Sequence, residues 1–185
     1  MYKTPHQPMS LLRLLVVLLT LSLHSAVSLA AGVYLSPDRF LNGAFAGQVP
    51  KPSRLWIKGE LRKQVREILG HDLGVLRLRY WGRDRRTAWI LNEIGKERPI
   101  TVGLVVDHGH LQQVRVLVFR ESRGWEVKYP FFTDQFIGAG LHADEHLDRQ
   151  IDGISGATLS VRAMTRLARL ALLLHQHSKF SGEGP

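Results

Sequence analysis

The chain has 185 residues, a length suited to one folded domain with extra segments at its ends. Apolar residues make up 44% and charged residues 22%, enough for an ordinary core and not a disordered composition. Formal charge is +9, but the basic residues are scattered (Arg77, Arg79, Arg83, Arg85, Arg86, Arg115, Arg120, Arg123) with no aromatic platform among them, which argues against nucleic-acid binding. Cysteine is absent, which excludes disulfides, thiolate zinc sites, iron–sulfur ligation and c-type haem attachment.

Residues 1–30 read as a secretory signal peptide. Lys3 and Arg13 supply the positive start, and Leu14–Leu23 is apolar except for Thr20 and Ser22. Ser28 and Ala30 stand at the two small-residue positions, with cleavage expected after Ala30. The alternative is an uncleaved anchor. Its apolar run is short for the ~20 residues a spanning helix needs. Either way the folded part is expected outside the cytoplasm, periplasmic or otherwise extracytoplasmic, with membrane association as an option.

Residues 31–54 hold Gly32, Gly43, Gly47, Pro37, Pro50 and Pro52, and read as a loop-rich lead-in with a short helix at Pro37–Leu41. The domain proper is expected over 55–178. Leu55, Leu61, Val65, Ile68 and Leu69 predict a helix of about three turns, with Gly70 as its C-terminal cap. Four strands follow, at Val75–Trp81, Thr87–Leu91, Ile100–Val106 and Val114–Phe119. The last two are joined by an Asp107-His108-Gly109-His110 hairpin turn. A short helix is expected at Phe132–Phe136. The final helix runs from Thr158 to about His177, with Val161, Met164, Leu167, Leu170, Ala171 and Leu174 as its apolar stripe. Residues 179–185 read as a flexible tail. These elements predict an α+β domain, an antiparallel sheet flanked by helices.

The segment Asp152-Gly153-Ile154-Ser155-Gly156-Ala157-Thr158-Leu159-Ser160 lies directly before the final helix. The first N–H groups of a helix lack internal partners and carry partial positive charge, so a phosphate suits this place. Gly153 and Gly156 let backbone approach a ligand, and Ser155, Thr158 and Ser160 offer hydroxyls. The same residue types also serve as plain helix N-caps.

The string Asp-Gly-x-Ser-Gly-Ala-Thr-x-Ser resembles the flavinylation motif of the FMN-binding domain family. That family includes the C subunit of the sodium-translocating NADH:quinone reductase and the G subunit of the Rnf complex. The resemblance covers roughly residues 95–175. It implies covalent FMN, moved from FAD to the Thr158 hydroxyl as a phosphoester by an exported FAD:protein FMN transferase. Asp152, Gly153, Ser155, Gly156, Ala157 and Ser160 match the motif's other places. A second stretch, Glu121-Ser122-Arg123-Gly124-Trp125, resembles the family's Glu-Thr-x-Gly-Leu turn against the flavin ring. By that resemblance Glu121 and Ser122 would bond or shape the ring pocket, Gly124 would allow the turn, and Trp125 would cover a ring face. Phe132, Phe136 and Gly138 resemble the region between the motifs and read as core.

Other features are weaker. His142 and His146 have the i, i+4 spacing of metal ligands if helical, but read as solvated side chains, as do His108 and His110. His175 and His177 close the final helix, where a cation suits the dipole. No base is placed for Ser155 or Thr158 as a hydrolytic nucleophile, and no Gly-x-Ser-x-Gly elbow is present. The expectation is an exported electron-transfer flavoprotein, a redox subunit rather than a stand-alone enzyme, working between a membrane redox protein and an extracytoplasmic acceptor. The alternative is a non-redox phosphate-ligand or flavin-sensing module using the same loop.

Overall fold

A computed structural model describes residues 32–182 of the chain. The expected signal segment and the last three residues lie outside the described residues. Six strands form one sheet: β1 (Gly32–Val33), β2 (Ser53–Trp56), β3 (Arg77–Arg83), β4 (Arg86–Ile94), β5 (Pro99–Asp107) and β6 (His110–Phe119). Their order across the sheet is β1-β6-β5-β4-β3-β2, and every neighbouring pair is antiparallel. Among the described residues four α-helices accompany it: α1 (Pro37–Ala44), α2 (Gly59–Leu69), α3 (Pro130–Thr133) and the 19-residue α4 (Thr158–Gln176). The fold is α+β, as expected. No helix among the described residues is long and apolar enough to cross a membrane.

Both faces of the sheet are covered, and this explains the strand sequences. Alternate residues of β4 separate, with Trp89 and Leu91 in the larger core under α2 and α4, and Ala88 in a smaller core under α1. In β5, Ile100, Val102, Leu104 and Val106 join the larger core while Val105 joins the smaller. A strand buried on both sides reads as a continuous apolar run, which is what 100–106 shows. Gly103 is where Phe40 of α1 presses on the sheet: a Cβ there would stand 2.7 Å from the Phe40 ring. The β5–β6 turn has positive φ at His108 (50°) and Gly109 (78°), the type I′ geometry that matches strand twist.

Three expectations change. The lead-in 31–54 is part of the fold, since it supplies β1, α1 and the first half of β2, and Phe40, Leu41, Ala44 and Phe45 join the smaller core. Leu55 belongs to β2, where it alternates with exposed Arg54 and Trp56, so α2 begins only at Gly59. Gly70 does cap α2, at φ 77°. The tail is not free from residue 179 on. Ser178 and Ser181 are buried, and Phe180 packs edge-on to Tyr80 at 6.1 Å. The buried apolar residues of both cores run from Phe40 to Leu174.

His175 also differs from its reading as a helix-end cation. It is 1% exposed, with Nδ1 2.8 Å from the Thr87 hydroxyl, which also receives the Trp89 indole N–H at 2.9 Å. Burial pushes its pKa down to about 4, so the ring is neutral near pH 7. His142 and His146 sit in a loop, with the His142 N–H donating to the His146 carbonyl at 2.8 Å, so the helical metal-ligand spacing does not arise.

Candidate functional site

The site begins with the N-terminus of α4. Its flanking residue is Ala157, which has no side chain able to cap, so the plain N-cap reading of this loop fails. The first bond into the helix runs from the Val161 N–H to the Ala157 carbonyl at 2.9 Å. The N–H groups of Thr158, Leu159 and Ser160 precede it and have no partner inside the helix. Thr158 is exposed, while Ala157 and Ser160 are buried beneath it. Gly156 has φ 79° and open space where a Cβ would be, so backbone is bare at this corner.

The second stretch comes to the same place. A cleft of about 530 Å³ is lined by Gly156, Ala157, Thr158, Leu159 and Ser160 on one side, and by Glu121, Ser122, Arg123, Lys96 and Glu97 on the other. That volume lies within the ~300–1,000 Å³ range of small-molecule sites. Gly124 joins the two walls. It has φ 79°, and a Cβ on it would lie 2.6 Å from Ser160 Oγ and 3.4 Å from Ala157 Cβ. The 3₁₀ turn Trp125–Lys128 follows directly.

Glu121 is engaged within the protein. One carboxylate oxygen accepts the backbone N–H groups of Lys96, Glu97 and Arg98 at 2.6, 2.7 and 2.9 Å. Burial alone would raise its pKa, but the three N–H donors outweigh burial and hold the carboxyl below its usual range. Its evident work is to tie the β4–β5 turn against the end of β6, which shapes one wall of the cleft. Of the two roles the resemblance implies, a bond to the ring or shaping of its pocket, this geometry concerns the second.

Trp125 is not among the residues lining the cleft. It packs edge-on to Tyr129 at 5.7 Å and is 42% exposed. Asp152, Gly153 and Ser155 stand before the cleft and do not line it. The Asp152 N–H donates to Gln135 Oε1 at 2.7 Å, which ties the loop to the segment after α3. Phe132 and Phe136 are core, 5.5 Å apart and edge-to-face, and Gly138 takes φ 80°. Lys96, Glu97, Arg123 and Leu159 line the cleft without having been site residues in the sequence reading. Only the polar Gly95–Arg98 break between two strands signalled a turn there, and nothing local said what it would face.

Residues 95–173 match a family model described as the FMN-binding domain. That segment is similar to the family's domain. The match starts at the β4–β5 turn and ends inside α4, so it contains every residue that lines the cleft. The match supports a flavin-binding role for this segment, and β1 to β4 lie upstream of it. Among curated proteins the chain has no match.

The donor set fits a flavin mononucleotide. Unpartnered N–H groups at a helix start suit a phosphate. Lys96 and Arg123 on the cleft lining offset its charge, although Lys96 also pairs with Glu97 at 3.2 Å. Ala157, Leu159 and the bare Gly156 backbone leave room for a flat apolar ring system beside them.

Proposed function

We propose that the domain carries FMN covalently on Thr158 and works outside the cytoplasmic membrane as an electron carrier. Its partners would be a membrane redox protein on one side and an extracytoplasmic acceptor on the other. One observation supports this most: the Thr158 hydroxyl is exposed at the start of α4, on a cleft whose far wall is the second family-like stretch.

The residues divide the work. The N–H groups of Thr158, Leu159 and Ser160 would receive phosphate oxygens, with the α4 dipole favouring the anion. Gly156 leaves the hydroxyl open to an exported FAD:protein FMN transferase. Asp152, Gly153 and Ser155, exposed or half-exposed around it, offer that enzyme a surface to read. In the transfer the Thr158 oxygen bonds to the flavin-side phosphorus of FAD, its proton is lost, and AMP leaves with the bridging oxygen. Glu121 holds the opposite wall in place. When bound, FMN supplies the redox chemistry, and the protein supplies attachment, orientation and electrostatics. A tether suits a compartment where a dissociated cofactor would not be replaced.

The test is coexpression with a flavin transferase in an exporting host. The denatured chain should gain the mass of one FMN residue, and Thr158→Ala should lose both that mass and in-gel flavin fluorescence. Ser160→Ala should keep a labelled chain. A Thr158→Ala protein that still carries covalent flavin overturns the assignment.

A further inference from the structure

Beside the cleft, but outside it, lies an aromatic patch with one cation at its centre. The Lys128 ammonium is 4.0 Å from the Tyr34 ring centre, 5.1 Å from Trp125 and 5.0 Å from Tyr129. Phe131 extends the group, 6.3 Å from Tyr129. Tyr34, Trp125, Tyr129 and Phe131 are 46, 42, 41 and 62% exposed, and Val33 next to them in sequence is 60% exposed. Among the described residues Lys128 has no carboxylate partner. Such a surface needs an occupant, because contiguous exposed apolar side chains mark contact sites.

We propose that this patch docks the domain on a phospholipid bilayer. Two observations select that occupant. First, its composition is interfacial: Trp and Tyr present an apolar body and a polar tip, and Lys carries its charge at the end of an apolar stem. An unneutralised ammonium amid rings favours the anionic phosphates of lipid headgroups. Second, it lies where the chain joins the fold. Residues 1–31 precede β1, their apolar run ends at Leu23, and Tyr34 comes eleven residues later. In the uncleaved form that the sequence also allows, a membrane holding that run lies within the reach of a short linker, since extended chain spans about 3.3 Å per residue. The main rival surface is the β2–β3 face, where Trp56 is exposed with Arg77 over it and Arg54 opposite Arg79. It lies at the other edge of the sheet, away from β1.

The experiment uses the processed chain from residue 31 on, which contains both cores, and vesicles of phosphatidylcholine with phosphatidylglycerol. Part of the lipid is brominated high on its acyl chains, so that only an inserted indole is quenched. Quenching is expected in the parent protein, lost in Trp125→Phe and kept in Trp56→Phe. The double variant Tyr129→Ser/Phe131→Ser should partition at least roughly tenfold more weakly, the scale expected for removing two buried rings. Phe131→Ser alone, at a position more than half exposed, should weaken binding in the same direction and keeps the test valid if the double variant misfolds. Absence of vesicle binding overturns the proposal and leaves the patch to a protein partner. Equal quenching in Trp125→Phe and parent, or its loss in Trp56→Phe, overturns it in favour of another face.

Discussion

Gly124 lies against Ser160 so closely that a Cβ on it would stand 2.6 Å from the serine Oγ. This contact binds the turn after β6 to the first turn of α4, across more than thirty residues of chain. Gly124 also needs φ 79°. Gly124→Ala should therefore combine a left-handed strain with a clash and cost about 2 kcal/mol or more. Urea unfolding would read it, and Ser160→Gly in the same protein should recover part of the loss by removing the clash.

Gly156 is the opposite case. Its φ is also 79°, but a Cβ there meets nothing within 4 Å. Gly156→Ala should cost only the backbone strain, about 1 kcal/mol. Gly156→Leu should keep the fold by circular dichroism yet block flavin attachment, because bulk would then stand before the Thr158 hydroxyl. Loss of folding would return this loop to a structural role.

Glu121 makes a pH-dependent contribution. Its folded pKa is depressed, so its stabilisation is present above the ordinary carboxylate value of 4.5 and is lost as pH falls through the folded pKa. Glu121→Gln keeps an acceptor oxygen and removes the charge. The stability gap between parent and variant, measured by urea titration, should shrink as pH drops from 6 to 3. In flavinylated protein the same change should move the reduction potential upward, since removing a nearby negative charge favours added electrons.

His175 acts in a different window. Its pKa is about 4 when folded and 6.5 when free, so between pH 6.5 and 4 the unfolded chain binds a proton that the folded chain refuses. Stability must fall as pH drops through that range, by roughly 3 kcal/mol. His175→Asn, whose amide oxygen can stand near Nδ1 and accept from Thr87, should flatten the acid limb of a thermal-unfolding profile. An unchanged limb would show that His175 is not buried in solution.

Phe180 should matter although the tail after α4 is polar. Its ring fills the space over Gly82, where a Cβ would come within 2.2 Å of it. Phe180→Ala should lower stability by about 1–3 kcal/mol, and truncation after Ser178 should do the same. Gly82→Ala should displace the ring and leave Tyr80 more exposed, which fluorescence quenching would detect.

Part of this molecule is legible in one dimension. The alternating and continuous apolar runs of β3 to β6, the His108-Gly109 turn, Gly70 and the stripe of α4 all depend on neighbours within a few residues. Period and turn chemistry therefore reveal them, and so does the Asp152–Ser160 segment. The lead-in misleads because β1 and β2 are two and four residues long, too short to show a period. Leu55 then fell into the helical pattern by accident of spacing. Phe180 misleads because a polar tail is judged by composition, while its burial depends on the absence of a side chain at Gly82.

The motif around Thr158 and the helix it opens are legible in the sequence alone, because a motif and a helix start are local. What Thr158 faces was not. The Lys96–Arg98 turn, the Glu121 carboxylate that gathers its N–H groups, and the Gly124–Ser160 contact come from segments 23 or more residues apart, and folding alone brings them to one cleft. The same holds for Trp125, whose place beside a flavin or outside the cleft depends on how one turn is oriented on α4. It holds too for His175, which reads as an exposed cation at a helix end until β4 covers it. A side chain's charge and its contacts are set by what packs against it from distant parts of the chain, and spacing along the sequence carries no record of that.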